Sequence, residues 1–310
     1  MGYKLAGYEH LGGVEINPKV AEIYKENLQP KYLFVDDIRE FNKREDLPKE
    51  LYELDILDGS PPCTSFSMQG VREKGWGKKK KFDEGAKLQT LDDLVFVYCD
   101  TIAKLKPKVC LLENVEGLIK GNAKVYAKAI KKRIENAGYN VQIFLLNSKY
   151  MGVPQERRRV FFIGFRKELN FKPLKLEFEE KPILFGEVAD FRGRPITGPD
   201  TLRLWKQRKP TDRKLADIKV RLGEKNSRYS SRIVAEDRVF PTTTTMDMHY
   251  SKPLHISESE AMKVATFPID YKAEGNIVSH LTGMYVPPIM TAQIASQIYE
   301  QWLSKIKENG

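Results

Sequence analysis

LDDLVFVYCDTIAKLKPKVCLLENV, residues Leu91 to Val115, decides the fold class. Leu91 to Leu105 repeats its apolar residues at helical spacing, and a short polar connector leads to the apolar run Val109 to Leu112. A short, uninterrupted apolar run bounded by polar residues reads as a strand buried on both faces. Upstream, Leu54 to Leu57 is a similar run that ends in Asp58-Gly59, so the stretch closes a strand–helix–strand unit.

The pattern extends in both directions. Further strands are expected at Leu11 to Ile16, Val141 to Leu146 and Val160 to Phe165. Helices are expected over Lys19 to Asn27 and over Lys124 to Ala137, the latter ended by Gly138. This alternation predicts an α/β fold with a parallel sheet and helices on both faces. After Phe171 the periodicity fades and Gly186, Gly193, Pro195, Gly198 and Pro199 interrupt the chain. The expected organisation is a first domain over 1–170, a loop-rich domain over 171–251, and a C-terminal segment over 252–310 that returns to the first. Ser257-Glu258-Ser259-Glu260 looks like a capped helix start, and a last helix from Met290 to Lys307 places Ile294, Ile298 and Trp302 on one face.

The chain has 310 residues, and 52 Lys and Arg exceed 42 Asp and Glu by +10. Eleven basic residues lie between Thr201 and Arg232, among them Arg203, Arg208, Arg213, Arg221 and Arg228, against three acidic ones, which leaves +8 in that segment. A second cluster holds Arg72, Lys78, Lys79 and Lys80. Charge placed in this way suits phosphate contacts, although a solvated face is the usual fate of a lysine run. No apolar run approaches the ~20 residues of a membrane span, and the first residues lack the apolar region of a secretory signal. Three cysteines in no framework spacing fit a reduced, cytoplasmic compartment. No metal-ligand spacing appears, and His10, His249, His255 and His280 stand in no partner pattern.

The chemistry concentrates at strand ends. Asp58-Gly59-Ser60-Pro61-Pro62-Cys63-Thr64 follows the second strand, where an open α/β sheet gathers its ligands. Two prolines leading into a thiol, with small polar residues after it, set Cys63 apart from Cys99 and Cys110, which lie in apolar patterns. Glu113 directly follows an apolar strand and reads equally as a helix cap or a site group. In Arg157-Arg158-Arg159, alternation places the first and third on one face.

Taken together, GSPPCTSFS around Cys63, ENV at Glu113 to Val115 and QERRRV at Gln155 to Val160 resemble the cytosine-C5 DNA methyltransferase family. FPTTTTMDMH, SESEAMKVATFPIDY and TGMYVPPIMTAQIASQI resemble its later motifs, in order, so the series spans nearly the whole chain. The resemblance implies a Rossmann-like, S-adenosylmethionine-dependent fold with a smaller target-recognition domain. It implies Cys63 as the nucleophile that adds to cytosine C6, Glu113 as donor to N3, Arg159 at the O2 edge and Arg157 as electrostatic support. S-adenosylmethionine is the implied cofactor, with Glu15 and Ile16 at the ribose end, Asp37 and Ile38 at the adenine, and Pro62 and Leu94 lining the pocket. Double-stranded DNA is the implied partner, with the cytosine flipped out of the helix. The resemblance further implies that Ser67 and the lysine-rich segment after it form the loop closing over DNA, and that the basic lobe reads the target.

The family's opening strand and Phe-x-Gly-x-Gly-Gly loop have no counterpart here, so the first strand is expected to be absent and a separate polypeptide is one candidate to supply it. Thr64 stands where the family has Gln, and Met284-Tyr285 replaces the usual Asn and small residue. A cognate restriction endonuclease and a monomeric state complete the expectations. Two alternatives remain: a tRNA-directed enzyme of the same family, and a non-catalytic nucleic-acid binder.

Overall fold

The computed structural model describes residues 1–62, 94–225, 231–244, 246–273 and 275–307. In chain order, the first elements are α1 (Gly2–Leu5), β1 (Gly12–Val14), α2 (Pro18–Leu28), β2 (Tyr32–Phe34), α3 (Ile38–Lys43) and β3 (Ile56–Gly59). Then come α4 (Leu94–Leu105), β4 (Val109–Val115), α5 (Lys124–Asn136), β5 (Tyr139–Asn147), β6 (Gln155–Glu156) and β7 (Arg158–Arg166). The remainder comprises α6 (Pro199–Lys206), α7 (Leu215–Arg221), β8 (Ile233–Val234), β9 (Phe240–Pro241), β10 (Met248–His249), α8 (Glu258–Val264), α9 (Asn276–Met284), α10 (Pro288–Ile298) and α11 (Ser304–Lys307).

The chain divides into two compact units, each assembled from three separate stretches. One contains Glu9–Leu146, Arg158–Leu176 and Ser296–Gly310; the other contains Met1–Tyr8, Asn147–Arg157 and Glu177–Ala295.

The first of these carries the sheets that the sequence predicts. β3, β4, β7 and β5 hydrogen-bond in that order. β3 runs parallel to β4, whereas β7 runs antiparallel to it, so the sheet is mixed and not parallel throughout. The reason is the connection: β5 reaches β7 without a crossover helix, and an antiparallel neighbour needs none. Every residue of β4 from Val109 to Asn114 is buried, as expected of a central strand covered on both sides. Val95 and Ile102 of α4, Ile130 and Ile134 of α5, Cys110 and Leu112 of β4 and Phe162 of β7 form one apolar cluster. Trp302 is also fully buried: its ring stacks on Phe171 and meets Phe165 of β7 edge-on, and its indole N–H donates to the Lys172 carbonyl.

β1 and β2 form a separate parallel pair, with Gly12, Gly13 and Val14 opposite Tyr32, Leu33 and Phe34. Among the described residues, β1 is laddered only to β2, and β3 only to β4. Yet Val14, Tyr32 and Phe34 share an apolar cluster with Leu54 and Leu57 from the β3 side. The two sheets thus meet through side chains and not through backbone hydrogen bonds. Local chemistry fixes the helices nearby. Asn17 caps α2 by accepting from the amides of Lys19 and Val20, Pro18 occupies its first turn, and Gln29 closes it in a left-handed conformation.

In the other unit, β6 pairs with β9 and β8 with β10, each over two residues. Ser257 caps α8 and Glu260 returns the bond, which is the capping box expected from the sequence. Ile196, Leu204, Trp205, Leu215, Ile218, Ile233 and Met248 pack together beneath α6 and α7. The Tyr8 hydroxyl donates to the Ala295 carbonyl, joining residues 287 apart in sequence. No helix among the described residues is long and apolar enough to cross a membrane.

Candidate active site

The site is built at the carboxyl ends of β3 and β4. Gly59 closes β3 against the ring of Tyr98 from α4, so tightly that a Cβ at Gly59 would lie 2.3 Å from Tyr98 Cε2. Only glycine fits there. The chain continues through Ser60 to Pro61 and Pro62. Cys63 itself lies outside the described residues, as do Ser67, Arg72, Lys78, Lys79, Lys80 and Arg228. The Asn114 side-chain amide donates to the Pro61 carbonyl at 3.3 Å, and its own oxygen accepts the Val115 amide at 2.9 Å. The turn that leads to Cys63 is thereby tied to the end of β4.

Glu113, one residue earlier, is buried, and its Oε1 lies 2.9 Å from Arg159 Nε. The register explains the pairing. Val115 faces Arg159 and Glu113 faces Phe161, so Glu113 and Arg159 are diagonal neighbours on one face of an antiparallel pair. Burial lowers the pKa of the Arg159 guanidinium, and the adjoining carboxylate acts against that shift. Arg158 points elsewhere: it pairs with Glu116 at 2.9 Å, and Lys120 meets the same carboxylate oxygen at 2.8 Å.

Arg157 has a different fate from Arg159. The strand breaks at this residue, because β6 pairs with β9 while β7 pairs with β4, so the expected alternation is not continuous. Arg157 is buried, and its two terminal nitrogens donate to the carbonyls of Gly283 and Met284, each at 2.8 Å. Its guanidinium thus anchors the closing TGMYVPP segment.

The residues expected around the cofactor follow the first strands. Glu15 comes directly after β1, and its carboxylate accepts the Asn17 amide at 2.8 Å, with Ile16 beside it partly exposed. Asp37 follows β2 as the N-cap of α3, accepting from the Arg39 amide at 2.8 Å and pairing with the Arg39 side chain. Ile38 packs at the margin of the main cluster, Leu94 opens α4 half-buried, and Pro62 is exposed.

The basic lobe is less free than its charge implies. Arg203 binds Asp200 and Glu224, and these hydrogen bonds hold its pKa above the ordinary value. Arg221 binds Asp212 and the Gln207 carbonyl. Arg208 lies 3.4 Å from the Trp205 ring centroid and 4.7 Å from that of Tyr250, and it donates to the Tyr250 carbonyl. Arg213 is exposed, with no side-chain bond among the described residues.

Two features had no usable sequence signal. Tyr98 read only as part of an apolar helix. His249 is fully buried between Glu236, 3.2 Å from Nδ1, and Glu260, 3.1 Å from Nε2. Its partners are 13 and 11 residues away and on different elements, where no periodicity reveals them.

Known proteins agree with this architecture. The type II methyltransferase M.FnuDI of Fusobacterium nucleatum is 33% identical over 208 residues, covering 64% of this chain and 54% of that protein. M.Bsp6I of Bacillus sp. is 34% identical over 200 residues, covering 61% and 58%. The chain thus spans about half the length of the curated relatives it matches. Among solved structures, a protein encoded within an E. coli prophage superposes with a TM-score of 0.69 at 18% identity, covering 97% of this chain and 94% of its own. Spodoptera frugiperda DNMT2 gives 0.65 at 15% identity, covering 96% and 95%. These likenesses establish a Rossmann-like methyltransferase fold. The profile described as C-5 cytosine-specific DNA methylase matches residues 1–300, and the chain belongs to that family.

Proposed function

We propose that this chain is the catalytic polypeptide of a DNA (cytosine-5-)-methyltransferase that modifies a cytosine flipped out of duplex DNA. The observation that carries the reading is the buried Glu113–Arg159 pair, held beside a strand end that leads into Cys63. Cytosine C5 is a poor nucleophile until a thiolate adds to C6. Cys63 forms that bond, Glu113 must take up a proton before it can donate to N3, and Arg159 holds O2, so charge building on the ring meets groups already near it. Once C5 carries the methyl group, its proton passes to water, the C5–H electron pair rebuilds the C5–C6 double bond, and the C6–S bond breaks with its electron pair returning to Cys63 as thiolate. Arg157 fixes the backbone at Gly283 and Met284.

S-adenosylmethionine supplies an electrophilic methyl group on a sulfonium. The residues after β1 to β3 fit its adenosyl portion: a carboxylate at Glu15 for the ribose diol, Asp37 with Ile38 for adenine, and Ile16, Pro62 and Leu94 as walls. The methionine end requires more. The parallel edges of β1 and β3, joined by side chains but not by a ladder, are suited to one parallel strand carrying a glycine-rich turn. A separate polypeptide is one source of that strand. The type II designation of the relatives supports a cognate restriction endonuclease as the functional partner.

The test is tritiated methyl transfer from S-adenosylmethionine to unmethylated duplex DNA. It compares the chain alone, the chain with a glycine-rich segment added, and Cys63→Ala, with tRNA as the competing substrate. Label on C5 of duplex cytosine that is lost in Cys63→Ala is the expected result. Label on tRNA alone, or turnover without Cys63, overturns it.

A further inference from the structure

The active-site strand ends are tied at two levels, and the deeper tie is Tyr98. Its hydroxyl lies 3.0 Å from the Leu57 carbonyl oxygen and 2.8 Å from that of Leu111, on adjacent strands β3 and β4. Its ring fills the space left by the missing Cβ of Gly59, and the residue is 3% exposed. Leu111 stands two residues before Glu113, and Leu57 lies on the strand that leads to Cys63. The second tie, from Asn114 to Pro61, lies nearer the strand ends. A phenol buried at this level has little to gain in apolar burial over phenylalanine. Its hydroxyl, however, fixes the spacing of two backbones whose continuations bear the reacting groups.

We propose that Tyr98 is a positioning residue for methyl transfer: by sharing its one hydroxyl proton between the Leu57 and Leu111 carbonyls it sets where Glu113 and the Ser60–Pro62 turn stand. This rests on the function proposed above. Effective molarity in a covalent mechanism falls steeply with misplacement, and about 1 Å is enough to cost ~100-fold in rate. Ground-state binding of DNA and cofactor does not depend on that spacing to the same degree.

The experiment is Tyr98→Phe, which keeps the ring against Gly59 and removes only the oxygen, with Asn114→Ala as the variant of the outer tie. Two readouts are taken on the full chain. The first is amide hydrogen exchange: peptides covering residues 56–62 and 111–115 are expected to exchange at least fivefold faster in Tyr98→Phe, while the helix 124–136 is unchanged. The second is kinetic: kcat is expected to fall at least tenfold with KM for DNA and for S-adenosylmethionine within twofold. Unaltered exchange in both strand-end peptides overturns the proposal, as does a lowered Tm with kcat intact. If the wild-type chain transfers no methyl group under any condition above, the functional reading fails, and the exchange readout still decides whether Tyr98 holds the two strand ends.

Discussion

Replacing His249 by phenylalanine, and titrating the wild type across the same range, tests the physics of the second unit. The ring has no exposed surface and lies against Phe185 at 5.3 Å and Phe191 at 4.8 Å between centroids. Each ring nitrogen faces a carboxylate oxygen, and an ionised carboxylate only accepts, so the geometry favours the doubly protonated ring. Burial alone would lower its pKa; the hydrogen bonds to Glu236 and Glu260 more than reverse this, and the pKa is raised above 6.5. Burial pushes both glutamates up, and their bonds, His249 first among them, bring each below its ordinary value.

The signs then follow by linkage. The histidine's contribution is complete below its unfolded pKa of about 6.5 and is lost as pH rises through the higher folded value. The contribution of the glutamates is complete above about 4.5 and is lost as pH falls through their depressed values. The cluster therefore stabilises most strongly between roughly pH 5 and 6.5 and weakens on both sides. Removing the imidazolium leaves the buried Glu260 and the part-exposed Glu236 facing an apolar ring. Breaking a buried pair costs about 3–5 kcal/mol. The lower end is expected, because Glu260 keeps the amides of Asp190, Phe191 and Ser257 as donors. At about 1.5 °C per kcal/mol for 310 residues, Tm should fall by roughly 5 °C at pH 6. Thermal melts by circular dichroism at half-unit pH steps measure it, and the gap between wild type and variant should narrow towards pH 9. A gap under about 2 °C at pH 6, or one independent of pH, refutes the charged-ring reasoning.

Other outcomes follow from single contacts. Gly59→Ala forces a methyl group to within 2.3 Å of the Tyr98 ring and should cost about 1–3 kcal/mol in urea unfolding, an unmoved midpoint being the contrary result. Arg159→Leu removes the ion-pair partner of the buried Glu113 at about 3–5 kcal/mol, and adding Glu113→Gln should recover most of it; strict additivity of the two changes would argue against the pair. For duplex binding, Arg213→Ala should lower the slope of log K against log salt by about 1, whereas Arg203→Ala, already bound to Asp200 and Glu224, should change it less. Equal slopes for the two variants would mean that the internal pairs do not restrain Arg203.

Much of the sheet was legible because its strands are continuous apolar runs: Val109 to Leu112 and Val160 to Phe165 both lie inside observed strands. β2 was missed, since Tyr32-Leu33-Phe34 is too short for any period to register. The orientation of β7 was missed for a different reason, as direction is set by the connecting segment and not by the composition of the strand. At the site, Glu113 and Arg159 were both singled out from the sequence, and their diagonal contact needed only the register. Arg157 could not be resolved from sequence, because its partners are backbone carbonyls 126 and 127 residues away, and a carbonyl carries no residue signature. The same blindness applies to charge: eleven basic residues in a row of segments look like a field, but pairs such as Arg232 with Asp247 and Arg221 with Asp212 already neutralise part of it.

The interleaving of the two units governs how the chain reaches its native state. One unit needs residues 1–8 and 295 together, and the other needs Trp302 against Phe165 and Phe171. Closing a loop of n residues costs entropy that grows as about (3/2)RT ln n, and such contacts form late. Neither unit can therefore finish folding on the ribosome before its last stretch has emerged. The nascent protein carries two half-built cores at once, and the apolar surface exposed in that interval is where chaperone capture or misassembly with a second chain is most readily begun.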